Sequence, residues 1–357
     1  LKLSDHIRSR FFEKYKKIEI REHNLLYLFL EITKKCNMSC LHCGTDCKTV
    51  ADSPELTTES WLKIIDYFAA NYSEQLVFVI TGGEPLVHPD LATIGSHIKS
   101  KNRRWGMVTN GMLLTQLKFE ELENAGLYSM TISLDGLENS HNILRNNQNS
   151  FQKTLKALEI IGKSSLKFKD AVTCVYFQNL NQLDEIAELL LKYKMNSWRL
   201  FRVFLSGRAL INPITQLSFE QTQQMLDWIS KNRKKYSAKG LNINYSCEGW
   251  MPLDEDRQIR ETPFFCRAGV NIASILADGN ITGCSNNNKD FYRGNIINDN
   301  FSTIWNTEFG DFRERKWLEL TICNSCEHVK KCNGSSVHLW KLKSDKPGFC
   351  YMKNLAD

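Results

Sequence analysis

Residues 26–44 read LYLFLEITKKCNMSCLHCG, an apolar run from Leu26 to Ile32 that passes through Thr33 directly into three cysteines. Seven residues dominated by Leu, Ile, Phe and Tyr have the length and composition of a buried strand. Cys36, Cys40 and Cys43 follow as CxxxCxxC, a spacing unlike the paired CxxC sets of zinc ribbons. Offsets of four and seven residues also share one face of a helix, where cysteines can be part of an apolar stripe. Asn37, Ser39 and His42 between the thiols, and Gly44 after them, break such a stripe and favour a loop wrapped around a metal. A 4Fe-4S cluster normally takes four thiolates, so three close together leave one iron open to a small ligand.

Outward from this segment, short β-rich runs alternate with amphipathic helical runs, the pattern of an α/β fold with a parallel sheet of repeated strand-helix units. Six strands are expected, at Leu26 to Ile32, Leu76 to Thr81, Trp105 to Thr109, Tyr128 to Leu134, Ala171 to Tyr176 and Trp198 to Phe204. Helices are expected at Thr57 to Ala70, Leu91 to Lys101, Thr115 to Asn124, Phe151 to Lys163 and Leu180 to Lys192, several opened by capping residues. In such sheets functional groups gather at the C-terminal strand ends. There this sequence places the Cys36 loop, Gly82-Gly83-Glu84-Pro85, Asn110-Gly111 and Ser133-Leu134-Asp135-Gly136. Past Phe204 a helix from Phe219 to Lys235 precedes a stretch of cysteines, glycines and short β-like pieces. The expected division is an N-terminal segment (1–24), a barrel (25–210), a linking helix (211–240) and a Cys-rich unit (241–357).

Composition narrows the classes. The 357 residues are 42% hydrophobic, enough for a large core, and the net charge of +6 comes from 46 basic and 40 acidic residues interspersed along the chain. A solvated surface accounts for that balance, and no nucleic-acid partner is expected. The cluster Arg233-Lys234-Lys235 closes a helical pattern, where cations suit the helix C-terminus. Without a long apolar stretch or a signal-like N-terminus, no membrane contact is expected and the location is expected to be cytoplasmic. Twelve cysteines gathered at two places in a large chain point to metal rather than disulfides.

The strand followed by CxxxCxxC, with His42 before the last cysteine, resembles the radical S-adenosylmethionine (radical SAM) superfamily. Gly82-Gly83-Glu84-Pro85 is similar to that family's GGEP motif, whose backbone contacts the methionine amino group, and glycine permits that approach. Asn110, Ser133, Asp135 and Arg145 stand where related enzymes hold the ribose and the methionine carboxylate, which a guanidinium grips through two hydrogen bonds. The resemblance implies a partial (β/α)6 TIM-type barrel, a 4Fe-4S cluster on Cys36, Cys40 and Cys43, and bound S-adenosylmethionine. It also implies reductive cleavage to a 5′-deoxyadenosyl radical that takes a hydrogen atom from the substrate.

Cys266, Gly279 and Cys284, then Cys323, Cys326, Cys332 and Cys350, resemble the SPASM extension of radical enzymes that modify peptides and proteins. One or two auxiliary 4Fe-4S clusters are implied; a structural zinc site on Cys323, Cys326, Cys332 and Cys350 is the alternative. The family pattern has a further cysteine where this chain has Ser336, so the inner set keeps Cys266 and Cys284, with Cys247 or His338 as further ligands or with an open iron. Cys174 reads as a buried core thiol and Cys47 as a spare or redox bystander.

The SPASM resemblance implies a peptide or protein substrate, crosslinked, epimerised or oxidised, and a flavodoxin or ferredoxin-type reductant. A sulfatase-maturase-like or small-molecule oxidation is the alternative, with Glu248 and Asp278 as candidate acids that exposure would otherwise explain. A non-catalytic electron-transfer protein is the rival from another class. About two dozen residues precede the first strand, too few for an independent recognition domain.

Overall fold

The run that leads into the cysteines forms strand β1 (Tyr27–Glu31), with Leu28 and Leu30 fully buried, in a computed structural model that describes residues 3–48, 54–342, 344–353 and 355. Helix α1 (Leu3–Glu22) precedes it. The chain continues through α2 (Thr58–Asn71), β2 (Val77–Thr81), α3 (Leu91–Ser100), β3 (Arg104–Thr109), α4 (Gln116–Asn124) and β4 (Leu127–Ser133). Next come α5 (Glu138–Arg145), α6 (Ser150–Lys163), β5 (Phe168–Val175), α7 (Leu183–Lys192), β6 (Ser197–Arg202), α8 (Phe219–Ala238) and β7 (Asn242–Tyr245). Helix α9 (Leu253–Ile259), β8 (Ile272–Ile275), β9 (Asn280–Thr282), β10 (Gly294–Asn295) and α10 (Phe301–Thr307) follow.

All ten strands join one sheet in the order β10-β9-β8-β1-β2-β3-β4-β5-β6-β7. From β8 to β7 every pairing is parallel, while β9 and β10 run antiparallel at one edge. The architecture is a partial TIM-type α/β barrel, with a Cys-rich segment following β9. The helices between the parallel strands follow from local chemistry. Thr57 caps α2 by accepting the Ser60 N–H, and the helix lays Trp61, Ile64, Ile65 and Phe68 on the sheet. Ser218 and Gln221 form a reciprocal capping box at the start of α8. Each fully buried large side chain of this kind contributes roughly 1.5–3 kcal/mol.

The six expected strands are β1 to β6, with ends shifted by up to three residues. Two further parallel strands flank them: β7 pairs with β6, and β8 pairs with β1. Each has four residues, too few for an alternation to register. Helix α5 was absent from the sequence expectation because the side chains it buries include Ser140, His141, Asn142 and Arg145, not an apolar stripe. Helix α1 packs through Phe12 against Phe265 and through Lys16 Nζ, which donates to the Lys331 carbonyl at 2.9 Å. No helix among the described residues is long and apolar enough to cross a membrane.

Glu31, at the end of β1, is 3% exposed, and burial raises its carboxyl to about 7. Its unfolded form ionises near 4.5, so the folded protein loses stability as pH rises from there to about 7 and then levels. Glu31→Gln therefore leaves stability at pH 4.5 unchanged and raises it above pH 7 by at most about 3 kcal/mol. Thermal melts of the two proteins at both pH values check this.

Candidate cofactor site at the strand ends

The cysteine loop is hung on the turn after β2. Gly83 N–H donates to Thr33 O at 2.7 Å, Glu84 N–H to Lys35 O at 2.9 Å, and Cys36 N–H to Lys48 O at 2.7 Å. A Cβ on Gly83 would collide with the Lys35 carbonyl, so glycine is what lets the two segments run side by side. Glu84 is 1% exposed and fixes the next strand end: its carboxylate accepts the Thr109 hydroxyl at 2.6 Å and the Asn110 N–H at 2.7 Å. Burial pushes its pKa up, against those hydrogen bonds.

These segments enclose a cavity of about 140 Å³. Cys36, Cys40 and Cys43 line it together with His42, Gly82, Gly83, Glu84, Asn110, Ser133 and Arg145. The structure thus gathers the three thiols and seven of the eight expected cofactor residues. Asp135 is set back from the cavity and fully buried; it accepts from Arg145 Nε at 2.5 Å and from the Cys174 N–H at 2.8 Å. Burial opposes its charge, but the Arg145 guanidinium holds its carboxyl below the usual range. His141 supports the pair: its Nδ1 accepts the Asp135 N–H at 3.0 Å, and burial, aided by Arg145, drops its pKa to about 3, keeping it neutral. Arg145 carries its charge into the cavity because Asp135 neutralises it from behind.

Several participants left no sequence signal. Arg208 lines the cavity and clamps the cysteine loop, its Nε donating to Cys40 O at 2.8 Å and its Nη1 to Cys47 O at 2.9 Å and Asp46 at 2.7 Å. It comes from the loop after β6, far away in sequence. Cys47 lies beside Thr45 Oγ1 at 3.0 Å, and its hydrogen bond, with help from Thr45 and Arg208, draws the Cys43 thiol well below its ordinary range. Cys174, expected in the core, is half-buried at the end of β5 beside Asp135, because the alternation of that strand turns it away from the interior.

The C-terminal cysteines form two further groups. Cys247, Cys266 and Cys284 line one cavity with His338. Cys323, Cys332 and Cys350 lie near enough that burial, then the neighbouring thiols, raise Cys332 to about 12. Glu248, expected at the surface, is fully buried. Burial alone would raise its carboxyl, but a hydrogen bond from His338 and the Arg202 charge bring it down to about 2. Asp278 is partly exposed and pairs with Lys34 Nζ at 3.2 Å.

Thiol spacing tests what metal these groups suit. Zinc bound tetrahedrally at about 2.3 Å draws its sulfurs to about 3.8 Å of one another. Among the described residues, the set of three His, Cys, Asp or Glu donor atoms lying within 4.8 Å of one another is His42, Asp135 and Cys174, and no all-cysteine set is that tight. None of the cysteine groups is thus held at the spacing of a single tetrahedral ion.

Residues 30–190 match the Radical SAM superfamily and residues 266–327 match SPASM, the iron-sulfur cluster-binding domain. The chain is a radical SAM enzyme with a SPASM domain, and its cofactors are 4Fe-4S clusters and S-adenosylmethionine. It is 26% identical to the Fe-coproporphyrin III synthase of Methanosarcina barkeri, over 85% of this chain and 81% of that protein. It is 27% identical to the mycofactocin maturase MftC of Mycolicibacterium smegmatis, over 86% of this chain and 76% of that protein. The fold is similar to the crystal structure of Streptococcus suis SuiB bound to S-adenosylmethionine, with a TM-score of 0.70 at 17% identity, covering 93% of this chain and 78% of SuiB.

Asp135→Asn removes the charge that orients Arg145, and the expected result is S-adenosylmethionine binding weakened about ten- to a hundredfold, the equivalent of 1.4–3 kcal/mol, with iron content unchanged. Calorimetry on cluster-replete protein checks the affinity; an unchanged value contradicts the role given to this pair.

Proposed function

We propose that the protein is a maturase that abstracts hydrogen from a peptide or protein and so crosslinks, epimerises or oxidises it. In this reading Cys36, Cys40 and Cys43 hold the cluster, and Gly82, Gly83 and Glu84 offer the backbone edge to the methionine amino group. Arg145 takes the methionine carboxylate, Asn110 and Ser133 face the ribose, and His42 packs beside the cluster. Asp135 acts through Arg145. Once bound, the cluster and S-adenosylmethionine supply reductive cleavage and a hydrogen-abstracting carbon centre. The chain positions the substrate over the cavity and excludes competing hydrogen donors. Electrons come from a flavodoxin or ferredoxin-type donor.

The observation that carries the choice of substrate is the character of the barrel mouth. Loops after β3, β5 and β6 expose Leu113, Phe177, Leu205, Leu210, Ile211 and Ile214. The arginines there are already matched by acids: Arg145 by Asp135, Arg202 by Glu248 and Arg208 by Asp46. An apolar rim with neutralised cations suits the side chains of a peptide better than a polycarboxylate. MftC, named as a maturase, and SuiB, also solved with its precursor peptide SuiA, support this reading. A second reading, radical chemistry on a tetrapyrrole, is favoured by the similarity to the Fe-coproporphyrin III synthase.

The two readings separate in one assay. Reconstituted protein with S-adenosylmethionine and dithionite is offered either small precursor peptides or Fe-coproporphyrin III. The expected outcome is 5′-deoxyadenosine formation stimulated by a peptide whose mass or stereochemistry changes. Turnover of the tetrapyrrole, with every peptide returned unaltered, overturns the proposal.

A further inference from the structure

Three chain segments remote in sequence deliver cysteines to one cavity of about 220 Å³. Cys247 follows β7 with a left-handed backbone, φ +69°, and its side chain is exposed where it lines the cavity. Cys266 comes from the loop after α9, and Cys284 from the turn after β9. The matched iron-sulfur domain begins at residue 266, so Cys247 lies outside it. Ser336 is fully buried and donates its hydroxyl to the carbonyl of Cys247 at 3.0 Å. It holds the turn that presents this thiol.

Two further side chains on the cavity wall point to a bound group. Asn287 is 5% exposed, and both its amide oxygen and its amide nitrogen are buried without a partner. An unsatisfied buried polar group is costly, a penalty that a ligand presenting both donors and acceptors, or sulfide and an ordered water, would relieve. His338 is held from behind by a fully buried carboxylate: its Nε2 lies 3.1 Å from Glu248 Oε2. Glu248 is in turn fixed by Arg202 Nη1 at 3.1 Å and by the hydroxyls of Tyr245 and Tyr351. A carboxylate on one imidazole nitrogen makes that nitrogen the donor and leaves Nδ1 with a free lone pair, the arrangement found behind metal-ligating histidines.

We propose that Cys247, Cys266, Cys284 and His338 Nδ1 form the ligand set of an inner 4Fe-4S cluster, with Asn287 donating to it from the second side. This assignment is independent of which substrate the enzyme modifies.

The test uses the Cys36, Cys40, Cys43→Ala protein, so that only C-terminal clusters contribute. Adding Cys247→Ala is expected to remove about four irons per chain, with Mössbauer intensity falling in proportion. Retention of all that iron overturns the proposal. Because a cysteine variant can lose iron by misfolding, a second measurement leaves the inner cysteines unchanged. Pulsed EPR of the reduced parent protein, labelled with ¹⁵N-histidine, is expected to show a strong nitrogen coupling that His338→Gln removes. A spectrum without histidine coupling overturns the assignment of His338.

Discussion

The site depends on the backbone seam between the cysteine loop and the turn after the second strand. Two hydrogen bonds, Gly83 N–H to Thr33 O at 2.7 Å and Glu84 N–H to Lys35 O at 2.9 Å, extend the pairing of β1 and β2 past the last regular residue. They carry the parallel sheet's geometry into the loop that bears the thiols. From that seam Glu84 reaches sideways to Thr109 and Asn110, so the third strand end is fixed by the same residue that closes the second. Arg208 clamps the far side of the loop through its carbonyls. The loop that carries the three thiols is thus held by backbone contacts on two sides, and a loop held in this way lowers the entropic cost of binding a cluster.

Charge is managed by the same economy of position. Arg145 is a buried cation, which is tolerable because Asp135 sits directly behind it, and Asp135 is tolerable because a backbone N–H and Arg145 satisfy its oxygens. The arrangement presents a guanidinium to the cavity while the pair as a whole stays near neutral. Glu248 plays the corresponding part in the C-terminal half, gathering Arg202, His338 and two tyrosines around one ionised carboxylate. Both networks lie at the C-terminal ends of parallel strands, and the Glu248 network ties β6 to the C-terminal segment through His338 and Tyr351.

Much of this was legible in the sequence for identifiable reasons. Strands β1 to β6 are β-rich runs of five or more residues alternating with helical runs, and the thiols, Gly82, Gly83, Asn110 and Ser133 follow from their ends. Helix α5 escaped notice because its buried side chains are polar and serve the site, which erases the apolar periodicity that marks other helices. Glu248 defied the expectation of exposure because its compensating partners come from β6, β7 and the last thirty residues, a convergence that no local window contains. Arg208 shares that obscurity: a loop arginine acquires meaning only when the fold sets it against Cys40 and Cys47. Cys174 shows the reverse error, an apolar strand context concealing a residue that alternation turns toward the site.

The central claim, that Cys36, Cys40 and Cys43 carry the cluster that cleaves S-adenosylmethionine, is tested most directly by iron and sulfide analysis with Mössbauer spectra. Anaerobically reconstituted protein is compared with the triple alanine variant, and 5′-deoxyadenosine is assayed alongside. The account predicts loss of about four irons per chain together with all 5′-deoxyadenosine formation, the remaining iron staying with the C-terminal cysteines. A variant that keeps its full iron content, or that still forms 5′-deoxyadenosine, contradicts it.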